Sequence, residues 1–205
     1  LDTLYIRSDG NIRIQRQFEL VENIKKSNKI KQTMRKETIA IRNQIERTQY
    51  LEHSAPLFLT SSFIFEDAED MRASFAEEKD RNIYSRFSNP NVSEFIEKIV
   101  LLENADDGVG FATGMAAVYN TLVSFLSSGD HIVSASSVFG STHTLFTKYL
   151  PKWNIETTYF NISEPETIEE KIQSNTKILF IETPTNPGVE IIDLEFLGEL
   201  AKKHN

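Results

Sequence analysis

Gly108 to Val118 reads GVGFATGMAAV, and the fold depends on what this stretch becomes. A short apolar strand, a small-residue turn at Ala112-Thr113-Gly114 and a helix opening on Met115 fit the pattern. A helix that starts at such a turn aims unpaired backbone N–H groups, and the positive end of its dipole, at whatever stands in front of it. Gly114 has no Cβ to keep a ligand away from the backbone, and Thr113 has the hydroxyl of an N-cap. This is a seat for a phosphate. An ordinary tight βα turn has the same composition, so the stretch alone leaves both readings open.

Downstream the alternation repeats. The helix is predicted to run to about Ser128 and to stop at Ser128-Gly129-Asp130. His131 to Ser136 (HIVSAS) is a strand, Phe139 to His143 (FGSTH) a turn, and Thr144 to Leu150 a helix stopped by Pro151. Strand Ile155–Phe160, helix Pro165–Gln173 and strand Lys177–Glu182 (KILFIE) follow. The TPTNP loop (Thr183 to Pro187) and a helix over Asp193–Lys203 close the chain. The order β-α-β-α-β-α-β-α predicts a parallel sheet with helices on both faces. Ligands of such sheets sit beyond the carboxyl ends of the strands. The Gly114 turn, the Phe139-Gly140 turn and the TPTNP loop share that edge. A sheet left open there would expose a bare strand edge, so another strand is expected after Asn205 and the chain is expected to stop in mid-domain.

Upstream, Ser93–Glu103 has a helical pattern, with Phe95, Ile96, Ile99, Val100 and Leu102 available to a core. Asp80–Asn91 (DRNIYSRFSNPN) is a polar loop. Its Arg86 fork and Tyr84 hydroxyl can both hold a phosphate; a surface loop whose Arg pairs with a carboxylate reads the same. Glu52–Phe65 is extended, broken at Pro56, and has to lie across another surface. Ala68–Glu78 is a short helix, and Thr38–Gln49 has apolar spacing at Ile39, Ile41 and Ile45. Residues 1–36 carry a charge of +5 against −13 for the remainder. That segment reads as a basic leader outside the fold, with a native start at Met34, or as a basic arm for an acidic partner. Three segments result: the leader (1–36), an N-terminal arm with the polar loop (37–89), and the first half of a larger domain (90–205).

Composition narrows the function classes. With no cysteine there are no disulfides and no thiolate metal sites. His53, His131, His143 and His204 lack metal-ligand spacing and read as structural or surface residues, so no metal is assigned. No apolar run approaches the ~18 residues of a membrane span. A net charge of −8 disfavours general nucleic-acid binding.

Five ordered motifs carry a resemblance: YSRFSNP (Tyr84–Pro90), FATGMAAV (Phe111–Val118), SGDHIV (Ser128–Val133), FGST (Phe139–Thr142) and ETPTNP (Glu182–Pro187). Together they resemble the pyridoxal-phosphate enzymes of cysteine and methionine metabolism, the cystathionine γ-synthase-like family, from about Thr38 to Asn205. RTQYLEHSAPLFLTSSFIFEDAEDMRASF and SSVFGSTHTLF look most like O-acylhomoserine sulfhydrylases. The resemblance implies fold type I, the aspartate aminotransferase-like three-layer α/β sandwich with a mostly parallel sheet, here truncated and preceded by an extended arm. It implies γ-replacement, in which sulfide displaces the acyl group of O-acetyl- or O-succinyl-L-homoserine to give homocysteine. A cystathionine γ-synthase or γ-lyase on the same scaffold is the alternative, and a non-catalytic interaction module with a basic arm is a third reading.

By the same resemblance, Gly114 and Met115 give backbone N–H groups to the cofactor phosphate. Tyr84 and Arg86 hold the phosphate of a neighbouring subunit, in a homodimer or homotetramer with shared sites. Asn186 lies near the 3′ oxygen of the ring, and Phe139 lies over its face. Most of the family has tyrosine at position 139; Phe139 stacks but transfers no proton, as in sulfhydrylases of the succinylhomoserine type. Ser141 stands where methionine γ-lyases carry cysteine. The Schiff-base lysine and the aspartate for the ring nitrogen are expected after Asn205, so no catalytic residue is assigned and the 205 residues alone are expected to be inactive. A cytoplasmic enzyme with a small amino-acid substrate is the implied setting.

Overall fold

The computed structural model describes residues 35–204. The basic segment up to residue 34, with Met34 itself, lies outside them, as does whatever follows His204. The chain divides into two compact units, the first ending at Gly110 and the second starting at Phe111.

The first unit holds helices α1 (Lys36–Arg42), α2 (Ala68–Phe75) and α3 (Pro90–Glu103). The α1 helix ends well short of Gln49: Ile39 is buried, but Ile41 is exposed, so only one side of the apolar spacing finds a partner. Asn89 caps α3 by accepting the Asn91 N–H, and Pro90 occupies the first helical position, where its missing N–H costs nothing. The extended segment does lie across another surface, the polar loop of its own unit. Phe58 N–H donates to Asn91 Oδ1 at 2.8 Å, Asn91 Nδ2 to the Pro56 carbonyl at 2.8 Å, and Phe63 N–H to the Ile83 carbonyl at 3.1 Å. Ser62 and Tyr84 form an antiparallel bridge. Leu57, Leu59 and Ile64 stay exposed on the other side. Asp70 on α2 is buried and takes Lys79 and Arg81 as partners.

The second unit is a three-stranded parallel sheet of order β2-β1-β3, with β1 His131–Ala135, β2 Glu156–Phe160 and β3 Thr176–Phe180. All five residues of β1 are buried, the signature of a central strand covered on both faces. The β1–β2 register runs from His131↔Glu156 to Ala135↔Phe160, and a bulge separates His131 from Ile132 in the pairing with β3. Val133, Ala135, Phe160 and Ile168 pack on one face with Leu197 and Leu200 of helix α6 (Leu194–His204). Ile132 and Ile155 pack on the other with Leu122 of helix α4 (Gly114–Phe125) and with Leu145, Phe146 and Leu150. The unit is therefore an α/β/α three-layer arrangement. Each such aliphatic or aromatic side chain contributes about 1.5–3 kcal/mol on burial.

Three expected elements differ. No strand forms at 108–112. Gly108 and Gly110 instead run along the flank of α3, where a Cβ at Gly108 would lie 3.1 Å from Val100 Cγ2 and one at Gly110 3.4 Å from Val92 Cγ1. The glycines allow close packing on a helix, and the β-first order loses its opening strand. The expected helix over 165–173 is two short 3₁₀ turns, Pro165–Thr167 and Glu169–Lys171, which are enough to bury Ile168 completely. The FGST turn is itself helical: α5 spans Gly140–Thr144, a π turn spans Leu145–Tyr149 and a 3₁₀ turn Leu150–Trp153. Pro151 does not stop this rod, because it sits in the first turn of the 3₁₀ segment, where its missing N–H is not called on. Smaller shifts follow the same logic: α4 ends at Phe125, three residues early, and β3 ends at Phe180.

His131 is almost completely buried. Its Nδ1 lies 2.8 Å from Thr176 Oγ1 on β3 and its Nε2 2.9 Å from Thr158 Oγ1 on β2. One imidazole thus links all three strands, from the first residues of β1 and β3 to the middle of β2, so of the structural or surface roles expected for it the structural one holds. Burial holds its pKa below the usual histidine value.

Candidate active site

The carboxyl edge of the sheet gathers four of the six expected residues in the second unit. Helix α4 starts at Gly114, with Thr113 as N-cap accepting the Ala116 N–H at 3.1 Å. The N–H groups of Gly114 and Met115 belong to the first turn, which has no intrahelical acceptor for them. A Cβ built on Gly114 would meet nothing within 4 Å. No protein atom demands glycine there, so the bare backbone faces open space. The Met115 side chain turns inward, with its Sδ 3.9 Å from Thr142 Oγ1.

Phe139 follows β1, and Asn186 follows β3. Phe139 leaves 45% of its surface exposed, so its ring has a free face. The Phe139 N–H donates to Glu182 Oε2 at 2.8 Å, and the Asn186 N–H donates to Glu182 Oε1 at 3.2 Å. One carboxylate therefore joins the two residues expected around a pyridine ring. Glu182 was legible in the sequence only as the first letter of ETPTNP.

The loop carrying Asn186 is closed on itself. Thr185 and Glu190 bond to each other twice: Thr185 N–H donates to the Glu190 carbonyl at 3.0 Å, and Glu190 N–H donates to the Thr185 side-chain Oγ1 at 2.9 Å. Thr185 is buried. A Cβ at Gly188 would approach Thr185 Oγ1 to 3.0 Å. Val189 takes φ +54°, a left-handed conformation unusual for a β-branched residue.

One turn after Phe139, His143 Nδ1 lies 3.0 Å from the Tyr159 hydroxyl. Burial pushes the Tyr159 phenol up, so it stays protonated. This bond fastens the last turn of α5 to β2.

Tyr84 and Arg86 lie in the first unit. The Arg86 guanidinium stacks 4.7 Å from the Tyr84 ring centre and 5.3 Å from that of Phe87. Among the described residues Arg86 pairs with no carboxylate and packs on these two rings. Lys148, Lys152 and Lys177 are exposed and Lys171 is half-exposed, in keeping with solvated side chains.

These residues fit a phosphorylated pyridine. A glycine-led helix N-terminus faces open space, an aromatic ring has a free face, and Asn186 stands on a neighbouring loop that shares the Glu182 carboxylate with Phe139.

The comparisons with known proteins agree. Residues 37–205 match the model of the Cys/Met metabolism PLP-dependent enzymes. An O-succinylhomoserine sulfhydrylase of Pseudomonas aeruginosa is 42% identical over 165 residues, 80% of this chain and 41% of the relative. An L-methionine γ-lyase of Fusobacterium nucleatum is 34% identical over 164 residues, 80% of this chain and 42% of the relative. A crystal structure from Campylobacter jejuni, assigned as an O-acetylhomoserine (thiol)-lyase and holding a pyridoxyl-lysine monophosphate, superposes with a TM-score of 0.77 at 32% identity, over 83% of this chain and 42% of that one. The chain thus spans about two-fifths of the length of the relatives it matches. Among the described residues no helix is long and apolar enough to cross a membrane. The chain belongs to the family of pyridoxal-phosphate-dependent enzymes of cysteine and methionine metabolism.

Proposed function

We propose that this chain supplies the phosphate- and ring-holding side of the active site of an O-acylhomoserine sulfhydrylase, which replaces the acyl group of O-acyl-L-homoserine with sulfide to give homocysteine. The convergence of the Phe139 and Asn186 N–H groups on Glu182, beside the open start of α4 on the same sheet edge, carries the reading. When bound, pyridoxal phosphate supplies the electron sink for deprotonation at carbon, and the protein supplies binding, orientation and electrostatics. Gly114 and Met115 would bind the phosphate through their N–H groups, helped by the helix dipole. Phe139 would stack on the ring and, having no ionisable proton, leave proton transfer to other groups. Asn186 would meet the ring's 3′ oxygen. Tyr84 and Arg86 would complete the phosphate clamp of a neighbouring subunit, which makes the site a property of a homodimer or a larger homo-oligomer.

Phe139 and Ser141 favour sulfhydrylase over lyase chemistry, and the 42% identity to an O-succinylhomoserine sulfhydrylase supports the same choice. The test is an assay of the complete reading frame, loaded with pyridoxal phosphate, on O-succinyl- and O-acetyl-L-homoserine. Homocysteine from sulfide is expected. Cystathionine from cysteine, or breakdown of methionine, in its place would move the activity to a synthase or lyase. The 205 residues alone are expected to show no turnover; homocysteine formed by the chain with pyridoxal phosphate, sulfide and O-acyl-L-homoserine would contradict this.

A further inference from the structure

We propose that Glu182 is a positioning residue that sets the ring-face residue Phe139 and the ring-edge residue Asn186 at a fixed spacing. The inference rests on the site reading given above. Phe139 and Glu182 are 43 positions apart, on loops leaving the neighbouring parallel strands β1 and β3. Nothing in either loop's own geometry fixes the distance between them. The carboxylate does so by accepting one N–H on each oxygen, from Phe139 at 2.8 Å and from Asn186 at 3.2 Å. Only a carboxylate can accept at both ends: an amide turns one end into a donor, which opposes one of the two N–H groups.

The rest of each loop is already fastened. Helix α5 is held by His143 and Tyr159, and the Asn186 loop by Thr185 and Glu190. Glu182 joins two preformed pieces, so its loss should change their separation and leave each piece folded. Gly114 and Met115 are held by the separate Thr113 cap. A phosphate at α4 should therefore not sense Glu182, whereas a phosphorylated ring spanning all three elements should.

The experiment measures the binding of two probes to the full chain and to Glu182→Gln. Pyridoxine 5′-phosphate carries the ring but cannot react with lysine, and inorganic phosphate carries only the anion. Ring fluorescence reads the first and ³¹P line broadening the second. Amide hydrogen exchange at Phe139 and Asn186 gives a readout that needs no ligand. The expected result is about tenfold weaker pyridoxine phosphate binding, from one lost charge-assisted hydrogen bond. Phosphate affinity should be unchanged, and exchange should be faster at one or both of the two amides. Unchanged binding of both probes would overturn the positioning role and leave the site reading intact. Equal weakening of both would also overturn it, marking Glu182 as a residue of general stability. If wild-type chain binds neither probe, the site reading fails and the inference fails with it.

Discussion

Replacing His131 by alanine tests how the sheet is held together. The imidazole is the shared partner of Thr158 and Thr176 on the two outer strands. Its removal forfeits these two short hydrogen bonds, at about 1 kcal/mol each, and a longer, weaker contact with Gln173 Nε2 at 3.3 Å. The cavity left by a ring that is almost fully buried adds about 1 kcal/mol. Both hydroxyls belong to half-buried residues, so water reaches them and the larger penalty for sealed polar groups does not apply. The total is about 3 kcal/mol, a large part of the ~5–15 kcal/mol that domains possess. The pH dependence has a definite sign. Burial depresses the folded-state pKa of His131, with a smaller opposing pull from Glu156. Its contribution is then fully present above the unfolded value of about 6.5 and is lost as pH falls through the folded pKa. Urea unfolding followed by Trp153, the chain's single tryptophan, reports on the same unit. At pH 8 the variant's midpoint should fall by roughly 2 M, for a slope of about 1.5 kcal/mol per molar. The gap should narrow at pH 5.5. A loss below about 0.5 kcal/mol, or a gap that widens as the pH falls, would refute the pin.

Three further outcomes are expected. Thr113→Ala removes the bond to the Ala116 N–H and should destabilise by about 1 kcal/mol in thermal unfolding, with weaker phosphate binding at the head of α4. Val189→Asn should stabilise the chain by about 1 kcal/mol in the same measurement, because asparagine tolerates the left-handed backbone better than a β-branched residue. The Asp70 carboxyl is held below its usual range, first by the hydrogen bond from Lys79 and then by the Glu66 N–H. Its stabilising effect should be present above about pH 4 and lost as the pH drops further, so wild type and Asp70→Asn should converge in acid-unfolding curves monitored by circular dichroism.

The parts of the fold that were legible in the sequence are those where local pattern and tertiary need agree. HIVSA, ETTYF and TKILF are strands because apolar, β-branched or aromatic residues dominate each of them, and the central one is buried along its whole length. The start of α4 was equally plain, since Thr113 and Gly114 are a cap and a helix opening by their own chemistry. Gly108 to Phe111 misled because its apolar letters suggest a strand, while its glycines serve to bring backbone against α3. Pro151 misled because it reads as a stop in an α-helix, and the segment is no longer α at that point. Glu182 could not be assigned a role from the sequence, because its two partners meet it only once β1 and β3 lie side by side. The pinning by His131 was hidden for the same reason, since neither threonine is near it in the chain.

The π turn has a consequence for how this family's loops can change length. The Leu150 N–H bonds back to the Leu145 carbonyl, and both leucines, with Phe146, enter the same apolar cluster. Two core contacts are thus five residues apart, where an α-helix would bring round the third or fourth. Each residue added or removed between Phe139 and Leu150 would rotate one end against the other by about 100°. Phe139 and the core residue Leu150 are locked in phase. A single insertion or deletion in this rod would either expose Leu150 or turn Phe139 away from the sheet edge, whereas a substitution that keeps its length leaves that phase intact.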